Sequence, residues 1–486
     1  MSARSGLARK SIGGPGLWFF AVGASSPMTV LAGGVVATYA GTGVVGVPFS
    51  FVLLATALAL LTVGYVAMSR HVGQAATFYA LLVHGLGRVW GVAGAAVAVV
   101  AYNSIQICLY GLFGVTVAGV AGGPWWLWAA LAWLAIAVLG VRHVQINARV
   151  LALTLVAEIL VIALLDIGAF THPAGGTVSV APLLPGRLFV NGVGGVFALG
   201  IAAFVGYESG PVYGEEARGE ATVGRATFAA LGFLGLFYAL SSWALAVAVG
   251  PDQVVEAARN PEAGLPFSIL AGTFGSLAAW AGTLLLISSI FAAQLSFHNG
   301  VARYLFALGR ERVLPVSLAR IGTGSRGGAP IGGSLVQSVT AAVVVGLVVV
   351  TGADPFGVLF TWLSTVGAVG VLLLMVAASW SSLRFFRAGG GTNEGTWVRV
   401  VAPTLGVLVG LAVLATTVIN LGSLLGLPPG SALTWIVPGV VGAAGVGGLG
   451  WGLVLRRRRP EVYAGIGHGR PHPLAVLDHR LADVEV

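Results

Sequence analysis

Three long stretches of this chain carry no formal charge. No Asp, Glu, Lys or Arg occurs within residues 11–69, 89–141 or 400–455. A membrane-crossing helix needs about 20 mostly apolar residues, so each stretch has room for two crossings. Over the whole chain 57% of the residues are hydrophobic and 8% are charged, against about a quarter charged in soluble domains. The sequence therefore excludes a water-soluble fold and predicts an integral membrane protein.

Six further apolar stretches are each long enough for one crossing. They lie at residues 150–170, 189–210, 226–250, 274–305, 332–352 and 356–379. Glycine occupies 74 of the 486 positions, mostly inside the apolar stretches, where membrane helices tolerate it. Added to the three paired stretches, these six predict an all-α protein with twelve transmembrane helices.

The basic residues predict the orientation, because loops rich in Lys and Arg stay on the cytoplasmic side. With the N-terminus inside, 23 of the 25 basic residues fall in cytoplasmic segments, and only Arg187 and Arg259 fall outside. We therefore expect a plasma-membrane protein with both termini in the cytoplasm. Four arginines at 456–459 follow an apolar helix, which predicts an anchor that meets anionic lipid rather than nucleic acid. From Pro460 the composition predicts a disordered cytoplasmic tail.

Two of the predicted helices contain residues that interrupt a helix near its centre. The first helix contains residues 23–27 (GASSP), and the sixth contains residues 206–211 (GYESGP). Unwound backbone is tolerated in a membrane only where it lines a cavity or is buried in protein. The breaks are five helices apart, and five is odd, so two five-helix repeats would have opposite orientation, which is typical of transporters. The alternative is that both breaks are kinks that serve packing alone.

Four segments, at residues 73–95, 141–160, 202–220 and 296–315, carry a resemblance to a known family. The segment AAFVGYESGPVYGEEARGE (202–220) resembles the sixth helix of the amino acid/polyamine/organocation permease superfamily. The segment 73–95 is similar to that family's interfacial helix, and 141–160 is similar to its entry to helix five. The segment 296–315 is similar to the family's stretch at the end of helix eight. They occur in the family's order, and the resemblance covers about residues 10–455.

The resemblance implies a five-plus-five inverted-repeat fold with broken helices 1 and 6 and two additional helices. The repeats would be residues 11–170 and 171–379, and the additional helices would lie within 380–455, between a cytoplasmic N-terminus (1–10) and a cytoplasmic tail (456–486). Such proteins move amino acids or related amines by alternating access.

The resemblance also implies a substrate site at the two breaks. Its residues would be Gly23, Ala24, Ser25 and Ser26 for the substrate carboxylate, and Ala202, Phe204 and Val205 for the ammonium or the gate. The charges at helix ends support such a site. A half-helix begins with a partial positive charge and ends with a partial negative one, so two broken helices suit the two charges of a zwitterion. This chain departs from the family pattern at Pro27, which has no N–H. It also has Ala202 where some exchangers of cationic amino acids carry tryptophan, which argues against an arginine-type substrate.

Asp166 lies nearer the outer end of the fifth predicted helix, and two carboxylates, Glu158 and Glu208, fall most clearly within the hydrocarbon depth of the predicted spans. A charge at the centre of a membrane helix costs about 2.5–3.5 kcal/mol on insertion scales, so these groups should be paired, protonated or facing water. Our hypothesis is that they couple transport to protons rather than to sodium. The alternatives are that Glu208 caps the break in helix six and that Glu158 pairs with a neighbour.

Polar residues on one face of the third span are further candidates. Asn103, Gln106 and Tyr110 share a helical face, and they either contact substrate or tie helices together. Weaker candidates of the same kind are Ser288, Ser289, Gln294 and Ser296 in span eight, and Thr361, Ser364 and Thr365 in span ten.

Other classes of function lack the residues they need. The single cysteine, Cys108, cannot form a CxxC motif and is predicted to be a packed thiol, and the scattered histidines predict no metal site. The sequence has no ATP-binding or catalytic motif and no pore-lining charged rings. We therefore expect no cofactor, no enzyme activity and no nucleic-acid partner. The predicted function is a secondary transporter of a neutral amino acid or small amine, with an exchanger or exporter as the alternative; the oligomeric state stays open.

Overall fold

The computed structural model describes residues 13–72, 76–142, 148–209, 220–260, 264–322, 329–391, 393–428 and 430–469. Within these ranges the chain is helical and contains no strand.

The described residues of the first half of the chain form ten α-helices. They are α1 (Gly14–Ser25), α2 (Pro27–Thr29), α3 (Val36–Thr42), α4 (Val47–Ser69), α5 (Thr77–Leu86), α6 (Arg88–Ala121), α7 (Trp125–Val141), α8 (Ala148–Thr171), α9 (Pro185–Leu188) and α10 (Val193–Phe204). A π-helical turn, Val30–Val35, joins α2 to α3, so that helical backbone continues from Pro27 to Thr42.

In the second half, nine α-helices lie within the ranges that the structure describes. They are α11 (Glu220–Val249), α12 (Val254–Arg259), α13 (Leu265–Phe274), α14 (Ser276–Arg310), α15 (Ile331–Thr351), α16 (Leu363–Arg387), α17 (Ala402–Ile419), α18 (Ile436–Arg458) and α19 (Pro460–Gly465). Short π or 3₁₀ turns lead directly into α16, α17 and α18.

Ten helices of the described ranges are long and apolar enough to cross a membrane. They are the broken helix Gly14–Thr42, α4, α6, α8, α11, α14, α15, and the extended helices Pro355–Arg387, Trp397–Ile419 and Ala432–Arg458. Shorter apolar helices are α5, α7, α13 and the segment Val193–Ser209. The prediction of an all-helical, multi-span membrane protein is confirmed. Ten of the twelve predicted spans correspond to helices of sufficient length, and the other two correspond to the shorter α7 and Val193–Ser209.

The centre of the bundle is built around α6 and α16. Helix α16 packs against α4, α5, α6 and α17, and α6 also contacts α14 and α18. Both central helices bury residues around most of their circumference. Small residues allow this close packing; for example, a Cβ on Gly448 of α18 would lie 2.6 Å from the Cα of Ala93 of α6.

The outer helices expose stripes of large apolar side chains. These are Leu153, Val156, Leu160, Leu164 and Ile167 on α8, and Val336, Val339, Val343, Leu347 and Val350 on α15. Their spacing of three or four residues places each set on one helical face. Apolar surface of this extent is expected where a helix faces lipid.

The end of the chain differs from the sequence prediction. Residues 460–469 were expected to be disordered, but they form α19 and a following turn, with Val462 and Ile466 buried against the bundle. The segment is polar overall, and two buried apolar side chains in it give no pattern from which order could be predicted. Residues 1–12, the remaining tail at 470–486, and Gly210 and Pro211 of the second break lie outside the described residues.

Candidate functional site

The first break lies between α1 and α2. Ser26 separates the two helices in a left-handed conformation (φ 49°, ψ 75°), and its N–H and its Oγ both donate to the carbonyl of Gly23, each over 3.1 Å. Pro27 then starts α2, and proline suits a first helical position because it has no N–H to leave without a partner. A left-handed non-glycine residue costs about 1–3 kcal/mol, and such strain is concentrated at functional sites.

The second break follows α10. Val205 turns the chain out of the helix (φ −56°, ψ 127°), and Gly206 has φ +116°. A Cβ at Gly206 would lie 2.9 Å from both the Cβ and the carbonyl carbon of Ala24. Both the backbone conformation and the available space therefore require glycine at this position.

The two breaks are in direct contact. Besides the approach of Gly206 to Ala24, the Oγ of Ser25 donates to the carbonyl of Phe204 over 3.4 Å. Two interruptions that are about 180 residues apart in sequence thus form one site. This contact explains why neither break leaves its backbone facing lipid.

The carboxylate of Glu208 braces the second break. Its Oε2 accepts the N–H of Gly206 over 2.8 Å, and its Oε1 accepts the hydroxyl of Tyr102 over 2.8 Å. The hydroxyl of Tyr65 donates to the Glu208 carbonyl over 2.9 Å. The side chain is almost fully buried, and it caps a backbone amide that the unwound segment frees.

The carboxylate of Glu158 contacts the first broken helix. Its Oε2 accepts the N–H of Met28 over 3.2 Å and the hydroxyl of Ser289 over 3.0 Å. Ser289 in turn accepts the hydroxyl of Thr29 over 3.1 Å. A negative group at a helix N-terminus is favoured by the helix dipole and by free amide donors. Glu158 therefore joins α8, α14 and the helix that begins at Pro27.

A cavity lies where the two breaks meet. The space open to the centre of a water-sized molecule is about 60 Å³. The breaks contribute Ala24, Ser25, Ser26, Ala202 and Val205 to its lining. The facing walls are formed by Ile105, Cys108 and Leu109 of α6, Phe297 of α14, Phe360 of the turn before α16, and Ser364 of α16. None of its lining residues is an acid, a base or a histidine. The cavity therefore offers apolar surface, hydroxyl groups and the ends of two half-helices.

The structure separates the sequence candidates into two groups. Ala24, Ser25, Ser26, Ala202 and Val205 line the cavity, while the carbonyls of Gly23 and Phe204 bond to the serines just behind it.

Asn103 and Gln106 are not among the residues that line the cavity. Asn103 donates to the Val99 carbonyl of its own helix, and Gln106 donates to Tyr110 and accepts from Gln337 of α15.

Several residues at the site were missed or ranked low from the sequence. Of the seven weaker candidates, Ser289 lies at the Glu158 contact and Ser364 at the cavity wall, and the other five are not among the residues that line the cavity. Cys108 is buried as predicted, but it also lines the cavity. Phe297 and Phe360 carried no signal, because an aromatic residue in an apolar span does not indicate which neighbour it faces.

A helical membrane bundle whose two broken helices meet at an uncharged cavity has the features of a membrane transporter. The comparison with known families agrees: the family model described as amino acid permease matches residues 15–443. The chain belongs to this family, as the four segments indicated. No curated protein matches the chain.

The contact between the breaks predicts the effect of a single methyl group. Gly206→Ala should lower stability by about 1–3 kcal/mol, because alanine is strained at this positive φ and its Cβ would meet Ala24. Gly232→Ala in α11 is the control, since a Cβ there meets nothing within 4 Å. Thermal unfolding of the purified variants measures the difference. Equal unfolding temperatures for the two variants would contradict the proposed contact.

Proposed function

We propose that the protein is a secondary active transporter that moves a neutral amino acid across the plasma membrane by alternating access. The observation that carries the proposal is the uncharged cavity at the contact between the two helix breaks. A related small amine is the second candidate for the substrate. Exchange or export would use the same site, because gradients determine the direction.

The ends of the two broken helices suit the two charges of an amino acid. The substrate ammonium would lie against the carbonyl end of α10, near Ala202 and Phe204. The carboxylate would lie near the start of α2, but Pro27 has no N–H and the N–H of Met28 already donates to Glu158. The hydroxyls of Ser25 and Ser26 would therefore turn from their carbonyl partners to the substrate carboxylate.

The walls of the cavity favour an apolar side chain. Ile105, Leu109, Phe297 and Phe360 contribute apolar surface to it. A charged substrate side chain would lose its hydration there without gaining an ionic partner, which is costly. The substrate class that fits is a neutral amino acid with an aliphatic side chain.

The membrane topology we propose has twelve spans. The ten long helices are joined by α7 and by α10 with its break, which are shorter because one is a 17-residue helix and the other unwinds after Phe204. Residues 11–170 and 171–379 would be the inverted repeats. The distribution of basic residues supports cytoplasmic positions for both termini.

We propose that Glu158 carries the coupled proton. Its carboxylate contacts the amide of Met28 and the hydroxyl of Ser289, so a change in its charge acts directly on the first broken helix. When the group is neutral, its attraction to the positive end of that helix is lost. Glu208 holds the second break in a comparable way and is the second candidate.

Ligand-induced stabilisation of the purified protein tests the substrate class. A ligand at 100 times its dissociation constant adds about 2.7 kcal/mol to stability. We expect leucine, valine or isoleucine to raise the unfolding temperature, and arginine, glutamate and putrescine to leave it unchanged. Stabilisation by amines alone would favour the second candidate. No stabilisation by any of these compounds would contradict the proposed function.

Uptake by proteoliposomes tests the coupling. We expect accumulation of the stabilising amino acid under an inward proton gradient without sodium. Glu158→Gln should reduce gradient-driven accumulation at least tenfold, because it removes the group that carries the proton. It should keep ligand-induced stabilisation, because glutamine has the same shape as glutamate. Glu208→Gln tests the second carboxylate in the same assay. The control is Glu256→Gln, an exposed acid of α12, which should accumulate substrate as the original chain does. Uptake that needs sodium and ignores pH would contradict proton coupling.

A further inference from the structure

The segment that follows α18 folds back onto the bundle. Residues 460–469, here called the strap, consist of α19 and the turn after it. Val462 and Ile466 are buried, and the guanidinium of Arg88 at the start of α6 lies 5.5 Å from the ring centre of Tyr463. The strap is therefore held on the bundle by two buried apolar side chains and by a cation–π contact with the beginning of α6.

The turn of the strap holds one buried carboxylate. Glu311, the residue after α14, accepts the N–H of Gly467 on Oε2 over 2.8 Å and the N–H of Gly469 on Oε1 over 2.7 Å. Both glycines have positive φ (82° and 65°). The amides of these two glycines are thus directed at the two oxygens of one carboxylate. Glu311 thus fixes the strap by charge-assisted hydrogen bonds.

Glu311 also contacts α5. The hydroxyl of Tyr79 donates to the same carboxylate. Burial and the adjacent Glu311 both raise the pKa of Tyr79, so its hydroxyl keeps the proton that it donates. The N–H of Tyr79 donates to the hydroxyl of Tyr304 of α14 over 3.1 Å. These bonds hold α5, which connects α4 to α6, against the end of α14.

Contacts of α5 connect the strap to the second break. The ring of Phe78, next to Tyr79, is 5.4 Å from the ring of Tyr65, whose hydroxyl donates to the Glu208 carbonyl. A short series of contacts therefore leads from the second break to the strap. Separation of α5 from the end of α14 would break the Tyr79 bonds and disturb the strap.

We propose that the strap is a latch that holds the cytoplasmic end of the transporter closed. It keeps α5 against the end of α14 through Glu311, and it leaves Glu311 when the cavity opens to the cytoplasm. The proposal rests on the proposed function, since it assigns a role in alternating access. A brace that stays docked throughout the cycle is the alternative, and it would have no effect on access to the cavity.

Labelling of Cys108 tests the latch without measuring transport. It is the chain's only cysteine and it lines the cavity, so its reaction with a membrane-impermeant maleimide in inside-out vesicles reports opening to the cytoplasmic side. We expect Glu311→Ala to raise the labelling rate at least threefold, because it removes the acceptor of both strap amides. Gly467→Val should have the same effect, since its Cβ would lie 2.5 Å from a methyl group of Val83.

A pair of shortened chains provides the matched control. A chain that ends at Gly469 keeps the strap and should label at the original rate, whereas one that ends at Arg459 lacks it and should label as fast as Glu311→Ala. If Glu311→Ala or Gly467→Val folds poorly, the milder Glu311→Gln should still raise the rate. Unchanged or slower labelling in the folded variants that weaken or lack the strap would overturn the latch. Strap-dependent labelling in a protein that no amino acid stabilises would instead overturn the proposed function alone.

Discussion

Backbone groups that leave a helix inside the hydrocarbon must find partners within the protein, and the rest of this structure depends on that constraint. Two helices are interrupted at mid-length. The amide of Met28 is met by Glu158, the amide of Gly206 by Glu208, and the carbonyl of Phe204 by Ser25. These contacts draw α1, α8, α10 and α14 together, and the cavity is the space that remains between them.

The use of both carboxylates for backbone amides determines the chemistry of the cavity. Glu158 and Glu208 are directed at the ends of the broken helices and are not part of the lining. The cavity is therefore neutral at its walls and polar only at the serines and the helix ends. In the account proposed here, the same carboxylates link a change of charge to a movement of the half-helices. One arrangement would thus provide both selection of a neutral substrate and coupling.

The sequence predicts the helices well, because uncharged runs of about 20 residues allow few other structures. It also indicates both breaks, since GASSP and GYESGP interrupt otherwise apolar helices. It cannot indicate that Ala24 packs on Gly206, because that contact depends on how distant helices cross. The helical periodicity identifies one face for Asn103 and Gln106. It does not reveal that Gln106 bonds to Gln337 and Asn103 to its own helix, so that neither lines the cavity. The strap was missed because two apolar residues in a polar segment give no pattern.

Protection of Cys108 from a maleimide tests most directly whether a neutral amino acid occupies the cavity between the two breaks. Purified protein is treated with a maleimide in the presence of increasing leucine, valine or isoleucine, and modification is followed by intact mass. We expect at least one of these amino acids to slow the labelling of Cys108 in a saturable manner, and arginine and glutamate to leave the labelling rate unchanged. Labelling that remains equally fast at all concentrations of an amino acid that nevertheless stabilises the protein would place the substrate elsewhere and contradict the account.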